Sequence, residues 1–407
     1  MVVILGVTIR GIAAPHQNSV FIVFRDAGRA WLAARPLYSQ VGKYLYSPLA
    51  AAFFAPFALL PDWAGSAFWR LLTGLTYLVA VFAWYRRFDS SSRLRSSIEV
   101  ATEGAGASSG GLFSSSSSSS SVRVVLGLLL LLPLSIGNLN NGQASPFIIA
   151  LLVFGCMAAL DGRWTLAAGC ISFAAFFKIY PLAIGLLLAA IEPRKLSWRL
   201  GLGLLIFGGL SLVLQRPPYV IEQYRDWWLS LGADQRRVST ELGSWRDVWL
   251  LLRILHLRIT VAGYALVQAG AALAAAIFCW WRSRTSDRSA VVWSAFTVGC
   301  LWITLFGPST ELATYVFIAP SVAFACAWVL WPMIQGRQRW HWFQFLPIAA
   351  YALLLLAEAL NAWVPVIRQN TYLHAIQPVA ALLFLGFVVG RKPAPTRPVD
   401  AAASWNQ

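Results

Sequence analysis

Asp26 sits in the run Phe24-Arg25-Asp26, shortly before Pro36-Leu37-Tyr38 and Tyr44-Leu45-Tyr46-Ser47-Pro48. A carboxylate can take the proton of an attacking hydroxyl, and the chain holds only 16 Asp and Glu in 407 residues. An acid placed at a membrane edge among tyrosines is therefore a functional candidate. The competing reading is a helix cap, because Asp followed by Ala-Gly-Arg-Ala-Trp-Leu could also open an interfacial helix.

Four further constellations could carry chemistry. Asn138, Asn140, Asn141 and Gln143 fall in Gly-Asn-Leu-Asn-Asn-Gly-Gln, and amides offer donors and acceptors to sugar hydroxyls without a charge to desolvate; a polar turn stopped by Gly142 is the alternative. Lys178 interrupts an apolar run and is followed by Ile179-Tyr180-Pro181. A lysine at membrane depth is costly unless paired, and an anionic phosphate would be a fitting partner as a leaving group departs; a snorkelling side chain fits its mid-run position less well. Gly307 to Tyr315 supplies a second carboxylate, Glu311, with Thr314 and Tyr315 beside it. Glu311 is placed either to orient a substrate or to cap the helix that follows. Between residues 216 and 258, Arg216, Arg225, Arg236, Arg237 and Arg246 alternate with Tyr219, Tyr224, Trp227, Trp228 and Trp245. Such a surface holds a lipid phosphate or lies amphipathically on the bilayer, and the second reading suits most of its residues.

These residues must be positioned by membrane helices. The chain is 58 % hydrophobic and 12 % charged with mean hydropathy +0.64, whereas roughly 25 % charge is usual in soluble domains. The expected fold is all-α and polytopic, with about 11–13 transmembrane or re-entrant helices. Trp63, Trp84, Trp227, Trp228, Trp340, Trp342 and Trp363 near the ends of apolar runs suit interfacial belts, and the length of those runs excludes a barrel. The net charge of +16 resides largely in short loops, which points to membrane lipids as partners and not to nucleic acid. Cys156, Cys170, Cys279, Cys300 and Cys326 all fall in apolar segments without metal-ligand spacing. No Asp-x-Asp pair, Cys/His cluster or glycine-rich phosphate loop occurs, so neither a metal nor a cofactor is expected. Met1 to Ala14 is apolar, carries Arg10 and reads as a short or clipped first helix in place of a cleavable signal.

Apolar runs lie at about 1–14, 63–85, 122–136, 144–160, 200–215, 260–281, 290–306, 312–334, 344–362 and 375–390. The run from Trp164 to Ile191 is expected to form two short helices meeting at the Lys178–Pro181 break. Basic residues after alternate helices (Arg86, Arg87, Arg163, Arg194, Lys195, Arg199, Arg282, Arg284, Arg288, Arg337, Arg339, Arg391, Lys392) require that pair to go up and come back down if all are cytoplasmic. The same count places Asp26, the Asn138–Gln143 cluster, Lys178, the 216–258 segment and Glu311 together on the extracytoplasmic side. Ser47 to Pro61, cut by Pro48, Pro56 and Pro61, reads as a surface or re-entrant helix. One unit over 1–392 is expected, with a flexible Ser-rich cytoplasmic insert at 96–121 and a disordered tail at 393–407.

The series Asp26, Pro36-Leu37-Tyr38, Tyr44-Leu45-Tyr46-Ser47-Pro48, Gly142-Gln143, Asp161-Gly162-Arg163, Ala168-Gly169 and Lys178-Ile179-Tyr180-Pro181 resembles glycosyltransferase family 87, of the C-type superfamily of polyprenol-phosphate-sugar-dependent enzymes. The resemblance covers most of the chain up to about residue 320. It implies a multi-pass enzyme of the cell (inner) membrane that moves a hexose, mannose first among them, from a polyprenyl-phosphate sugar to a lipid or glycan acceptor with inversion. It further implies that an acid in the first extracytoplasmic loop, here Asp26, is the general base, so that Asp26→Asn abolishes transfer. Family members often carry a histidine in the late Ser-Pro-led motif; this chain has Glu311, Thr314 and Tyr315 there. Lys178 would face the lipid phosphate, and Tyr38, Tyr44, Tyr46, Asn138, Asn141, Gln143 and Tyr180 would bind substrate with Glu311, Thr314 and Tyr315. From another class, a transporter or flippase of a lipid-linked sugar would also place polar groups in a membrane cavity.

Overall fold

Backbone polar groups in a bilayer must be satisfied within their own segment, which favours helices wherever apolar runs are long. The computed structural model describes residues 1–17, 19–39, 44–103, 115–233, 245–307, 310–336, 341–363 and 370–391, and among these all regular structure is helical. The helices are α1 (Val2–Ala13), α2 (Phe21–Leu32), α3 (Pro48–Ala58), α4 (Asp62–Glu103), α5 (Ser115–Asn140), α6 (Ser145–Leu160), α7 (Trp164–Phe177), α8 (Leu182–Ile191) and α9 (Pro193–Leu214). They continue as α10 (Pro217–Ala233), α11 (Val248–Ile254), α12 (Val261–Thr285), α13 (Arg288–Phe306), α14 (Ala319–Ile334), α15 (Phe345–Trp363), α16 (Thr371–His374) and α17 (Ile376–Gly390). Seven of the described helices are long and apolar enough to cross a membrane, and six more are apolar but shorter. The chain is an all-α polytopic membrane protein, as its composition requires.

Side-chain contacts fix the direction of the helices. Arg70 meets Asn140, Tyr77 meets Ser135 and Tyr85 packs beside Gly127, so α4 and α5 are antiparallel. Ser172 on α7 donates to the Leu200 carbonyl on α9, and further along both helices Phe173 and Phe176 pack on Phe207. Helices α7 and α9 thus run the same way, which forces the intervening α8 to run back. The break read from Lys178-Ile179-Tyr180-Pro181 is the tip of that hairpin: α7 ends at Phe177, and α8 starts at Leu182 after Pro181. Proline disfavours helical backbone in the residue before it, which separates the two helices at this point.

The polar ends sort onto two faces. One holds the turn after α5, the α7–α8 tip, the start of α11 and the ends of α13 and α15. The other holds Arg87 paired with Asp161 at 2.9 Å, Arg288 on the Ala159 carbonyl and Arg282 on the Arg391 carbonyl. Helix α3 has 11 residues, roughly 16 Å against the 30 Å of a hydrocarbon core. It is wedged against α2 with Phe54 fully buried. Gly28 permits that approach, since a Cβ there would lie 2.8 Å from the Phe54 carbonyl oxygen.

One apolar stretch departs from the expectation. The run at 312–334 is broken into a 3-10 turn, Leu312–Phe317, followed by α14. Pro320 lies in the first turn of α14, where its missing N–H is tolerated. The turn descends into the bundle, since Thr297 halfway along α13 meets Ser321 at 2.8 Å. The Ser-rich segment 96–121 has helix at both ends, α4 reaching Glu103 and α5 starting at Ser115; residues 104–114 and the tail 393–407 lie outside the described residues.

Candidate active site

The tyrosine segment between α2 and α3 is held as a shaped loop. The Tyr38 hydroxyl donates to the Tyr46 carbonyl at 2.7 Å and the Tyr44 hydroxyl to the Ser47 carbonyl at 3.0 Å. Ser47 caps α3 by accepting from the Ala50 N–H, and its own hydroxyl donates to the Phe176 carbonyl at the end of α7. Helix α10 clasps the loop from outside: Tyr219 donates to the Arg35 carbonyl, Trp227 to the Leu45 carbonyl, and Gln223 accepts from the Leu37 N–H at 2.8 Å. Part of the segment read as a bilayer-surface helix therefore braces the site. The hydroxyls of Tyr38 and Tyr44 are used on the loop's own backbone, and burial pushes the pKa of all three tyrosines upward, so they remain neutral phenols.

Tyr46 faces the hairpin tip. The Lys178 ammonium lies 5.6 Å from the Tyr46 ring centre and 5.4 Å from that of Tyr180, within cation–π range of both. Lys178 opposes the upward push of burial on Tyr46. The Tyr180 hydroxyl is buried and has no hydrogen-bond partner among the described residues, which leaves a donor for a ligand. Directly beneath, a cavity of about 350 Å³ is walled by Ile179, Tyr180, Leu182 and Leu187 on one side and by Ala275 and Trp302 on the other. A half-buried cation stands at the head of an apolar groove.

Glu311 and its neighbours form the 3-10 turn that closes this side. The Glu311 N–H donates to Thr314 Oγ1 at 3.1 Å in a capping box, so both capping residues have a structural task. The Tyr315 hydroxyl donates to the Arg246 carbonyl at 2.6 Å, and Phe317 packs edge-on to Tyr180 at 5.6 Å. The Glu311 carboxylate is also close enough to raise Tyr46 further. Lys178, Tyr46, Tyr180 and Glu311 are thereby brought together from three separate stretches of sequence.

The Asn138–Gln143 cluster is a turn held by its backbone. The Asn140 carbonyl accepts from Arg70 at 2.9 Å, the Asn141 carbonyl from the Val20 N–H and the Gly142 carbonyl from Trp69, while the Gln143 N–H returns to the Asn138 carbonyl. Gly142 has φ +64, which a residue without a Cβ accepts readily. Asn138 is buried, and its Oδ1 has no partner among the described residues.

Asp26 is the sixth residue of α2 and not its cap. Phe21, Phe24, Gly28 and Trp31 form the buried stripe of that helix, and at 100° per residue Asp26 projects from the opposite side. Its side chain is 58 % exposed and accepts from Arg25 at 2.8 and 3.0 Å. Arg25 also pairs with Asp62, which Arg29 and His16 approach as well.

The family model of glycosyltransferase family 87 matches residues 44–308. The chain belongs to glycosyltransferase family 87. No curated protein matches it. The matched stretch of this family 87 glycosyltransferase contains Tyr44, Tyr46, the Asn138–Gln143 turn, Lys178 and Tyr180, and two carboxylates flank it, Asp26 before and Glu311 after.

A glycosyltransferase must seat two substrates, and a second polar group beside Glu311 went unread in the sequence. Arg246 reaches from the start of α11 to Gln377 Oε1 at 3.1 Å and Asn361 Oδ1 at 3.3 Å, and its N–H meets the Thr310 carbonyl. Glu358 is the remaining acid of this group, near the end of α15. The available signal was a lone acid inside the apolar run Leu353 to Leu360. The clustering itself had none, because Arg246, Glu358 and Gln377 are far apart in sequence.

Proposed function

We propose that the protein transfers a hexose, mannose being the first to test, from a polyprenyl-phosphate sugar to a hydroxyl of a lipid or glycan acceptor on the extracytoplasmic face of the cell membrane. The observation that carries the reading is Lys178 over the ring of Tyr180, which with Ile179 lines the apolar groove between α8 and α12–α13. A donor of this class is a long apolar chain ending in a phosphate, and the groove with its cation offers the same two features in the same order. The positive-inside tendency supports the side, since Arg87, Arg194, Lys195 and Arg282 gather at the end of the bundle away from Lys178.

In the proposed reaction the acceptor oxygen attacks the anomeric carbon and the bond to the phosphate oxygen breaks, inverting the centre. The electron pair leaves with the lipid phosphate, where Lys178 offsets the developing charge. The acceptor proton passes to a carboxylate. Asp26 was the choice from sequence, but its outward placement on α2 and its pairing with Arg25 favour Glu311, which shares a cluster with Lys178 and Tyr46. Tyr46 and Tyr180 then flank the sugar phosphate, Asn138 and Gln143 lie at the neighbouring turn, and Tyr38, Tyr44, Thr314 and Tyr315 hold the walls.

Purified protein in nanodiscs, given radiolabelled polyprenyl-phosphate mannose or glucose and total lipid extract, tests this directly. Labelled glycolipid or glycan is the expected result. Donor that crosses the bilayer unchanged would replace the reading with the flippase alternative, and donor left untouched would overturn it.

A further inference from the structure

Arg246, Asn361, Gln377 and Glu358 form a polar group that no step above requires. Two observations set it apart from simple bracing of the bundle. Gln377 is fully buried, and while its Oε1 accepts from Arg246, its Nε2 has no partner among the described residues. Across the bundle, a Cβ on Gly137 would lie 3.8 Å from Glu358 Oε2, which puts the carboxylate next to Asn138, whose buried Oδ1 is also without a partner among the described residues. A buried donor and a buried acceptor left open cost free energy unless something fills them.

The charges select the ligand. Arg246 is pushed down by burial and held up by Glu358, Tyr315 and Glu311. Its positive charge already faces the carboxyl groups of Glu358 and Glu311, which leaves it less to offer a further anion. A neutral polyol suits the set, because guanidinium, amide and carboxylate groups together donate to and accept from hydroxyls. Position matches as well. The 3-10 turn bonds to the Arg246 carbonyl through Tyr315 and packs on Tyr180 through Phe317, so it has this group on one side and the Lys178 site on the other.

We infer that Arg246, Asn361, Gln377 and Glu358 form the acceptor site, and that it takes a neutral, hydroxyl-rich group, a sugar or cyclitol ring, across the turn from the donor phosphate. This assignment rests on reading the protein as a transferase with a hydroxyl acceptor. Saturation-transfer NMR on the full chain in nanodiscs, with methyl α-mannoside, methyl β-glucoside and myo-inositol as probes, measures binding without turnover. Saturation of at least one probe is expected, falling at least fivefold in Gln377→Leu and in Glu358→Gln and persisting in Lys178→Met. No saturation in the wild type, or undiminished saturation in both folded variants, overturns the site. A diazirine-bearing mannoside crosslinked to the wild type gives a measure independent of variant folding: label on α15 and α17 supports the site, and label confined elsewhere overturns it. Polyol binding that persists while no donor is turned over sinks the transfer reading and leaves a polyol site.

Discussion

Two polar regions on the same face of the bundle hold carboxylates beside cations, and they are built differently. At the α2 corner Arg25 bridges Asp26 and Asp62, and the side chains of Asp26, Arg29 and His16 are 58 %, 44 % and 61 % exposed. Each charge there has a partner and water within reach. In the hairpin site Lys178 is half-buried between two rings, the Tyr180 hydroxyl is unsatisfied among the described residues, and an apolar groove opens beneath. Ion pairs in high dielectric contribute little, whereas a charge and an open donor withdrawn from water are costly unless a ligand completes them. Surplus polarity, more than the number of charges, sets the hairpin region apart from the α2 corner.

The sharpest way to break that comparison is to exchange the cation. Lys178→Met is expected to lower kcat by 100-fold or more at saturating donor, measured as glycolipid formed per minute; activity within fivefold of wild type would remove Lys178 from the reaction. Next come the two carboxylates side by side. Glu311→Gln is expected to lower kcat by about 10²–10⁴-fold, the span of a general base, while Asp26→Asn lowers it by less than tenfold. The reverse order in the same assay would return the base to Asp26. Filling the groove has a smaller effect: Ala276→Trp is expected to raise KM about tenfold for a long-chain donor and to leave KM for a two-isoprene donor within twofold, a split that separates chain binding from misfolding.

Two stability measurements complete the contrast. Arg70 is buried and holds the Asn140 carbonyl and Ser66, so Arg70→Met leaves buried acceptors open and is expected to cost about 2–4 kcal/mol, seen as a lower thermal midpoint in detergent. Arg29 is 44 % exposed beside Asp62, and Arg29→Ala is expected to cost less than about 1 kcal/mol. Equal losses would show that the α2 corner is as tightly built as the turn it neighbours.

Much of the frame was legible because membrane physics writes it into composition. The hairpin at Lys178–Pro181 could be read because a lysine and a proline within an apolar run leave few alternatives, and both α7 and α8 end where those residues stand. The division of the 312–334 run was not read, although Pro320 lies within it, because the run is apolar on both sides of the break and periodicity cannot distinguish a re-entrant turn from a span. The Asn138–Gln143 amides read as a binding cluster in one dimension, but that Arg70, Trp69 and Val20 hold its backbone carbonyls from outside the turn had no sequence signal. Glu358 was visible as an isolated acid, but its neighbours come from three distant segments.

By itself the sequence determined an all-α membrane protein, its basic end, the hairpin tip and the residues capable of chemistry there, because hydropathy, proline and charge act locally along the chain. Where the two carboxylates Asp26 and Glu311 lie was decided only by the tertiary structure. A helix of 3.6 residues per turn directs Asp26 away from its own buried stripe. Glu311, remote in sequence from Lys178, reaches the cluster because the chain after α13 turns back into the bundle.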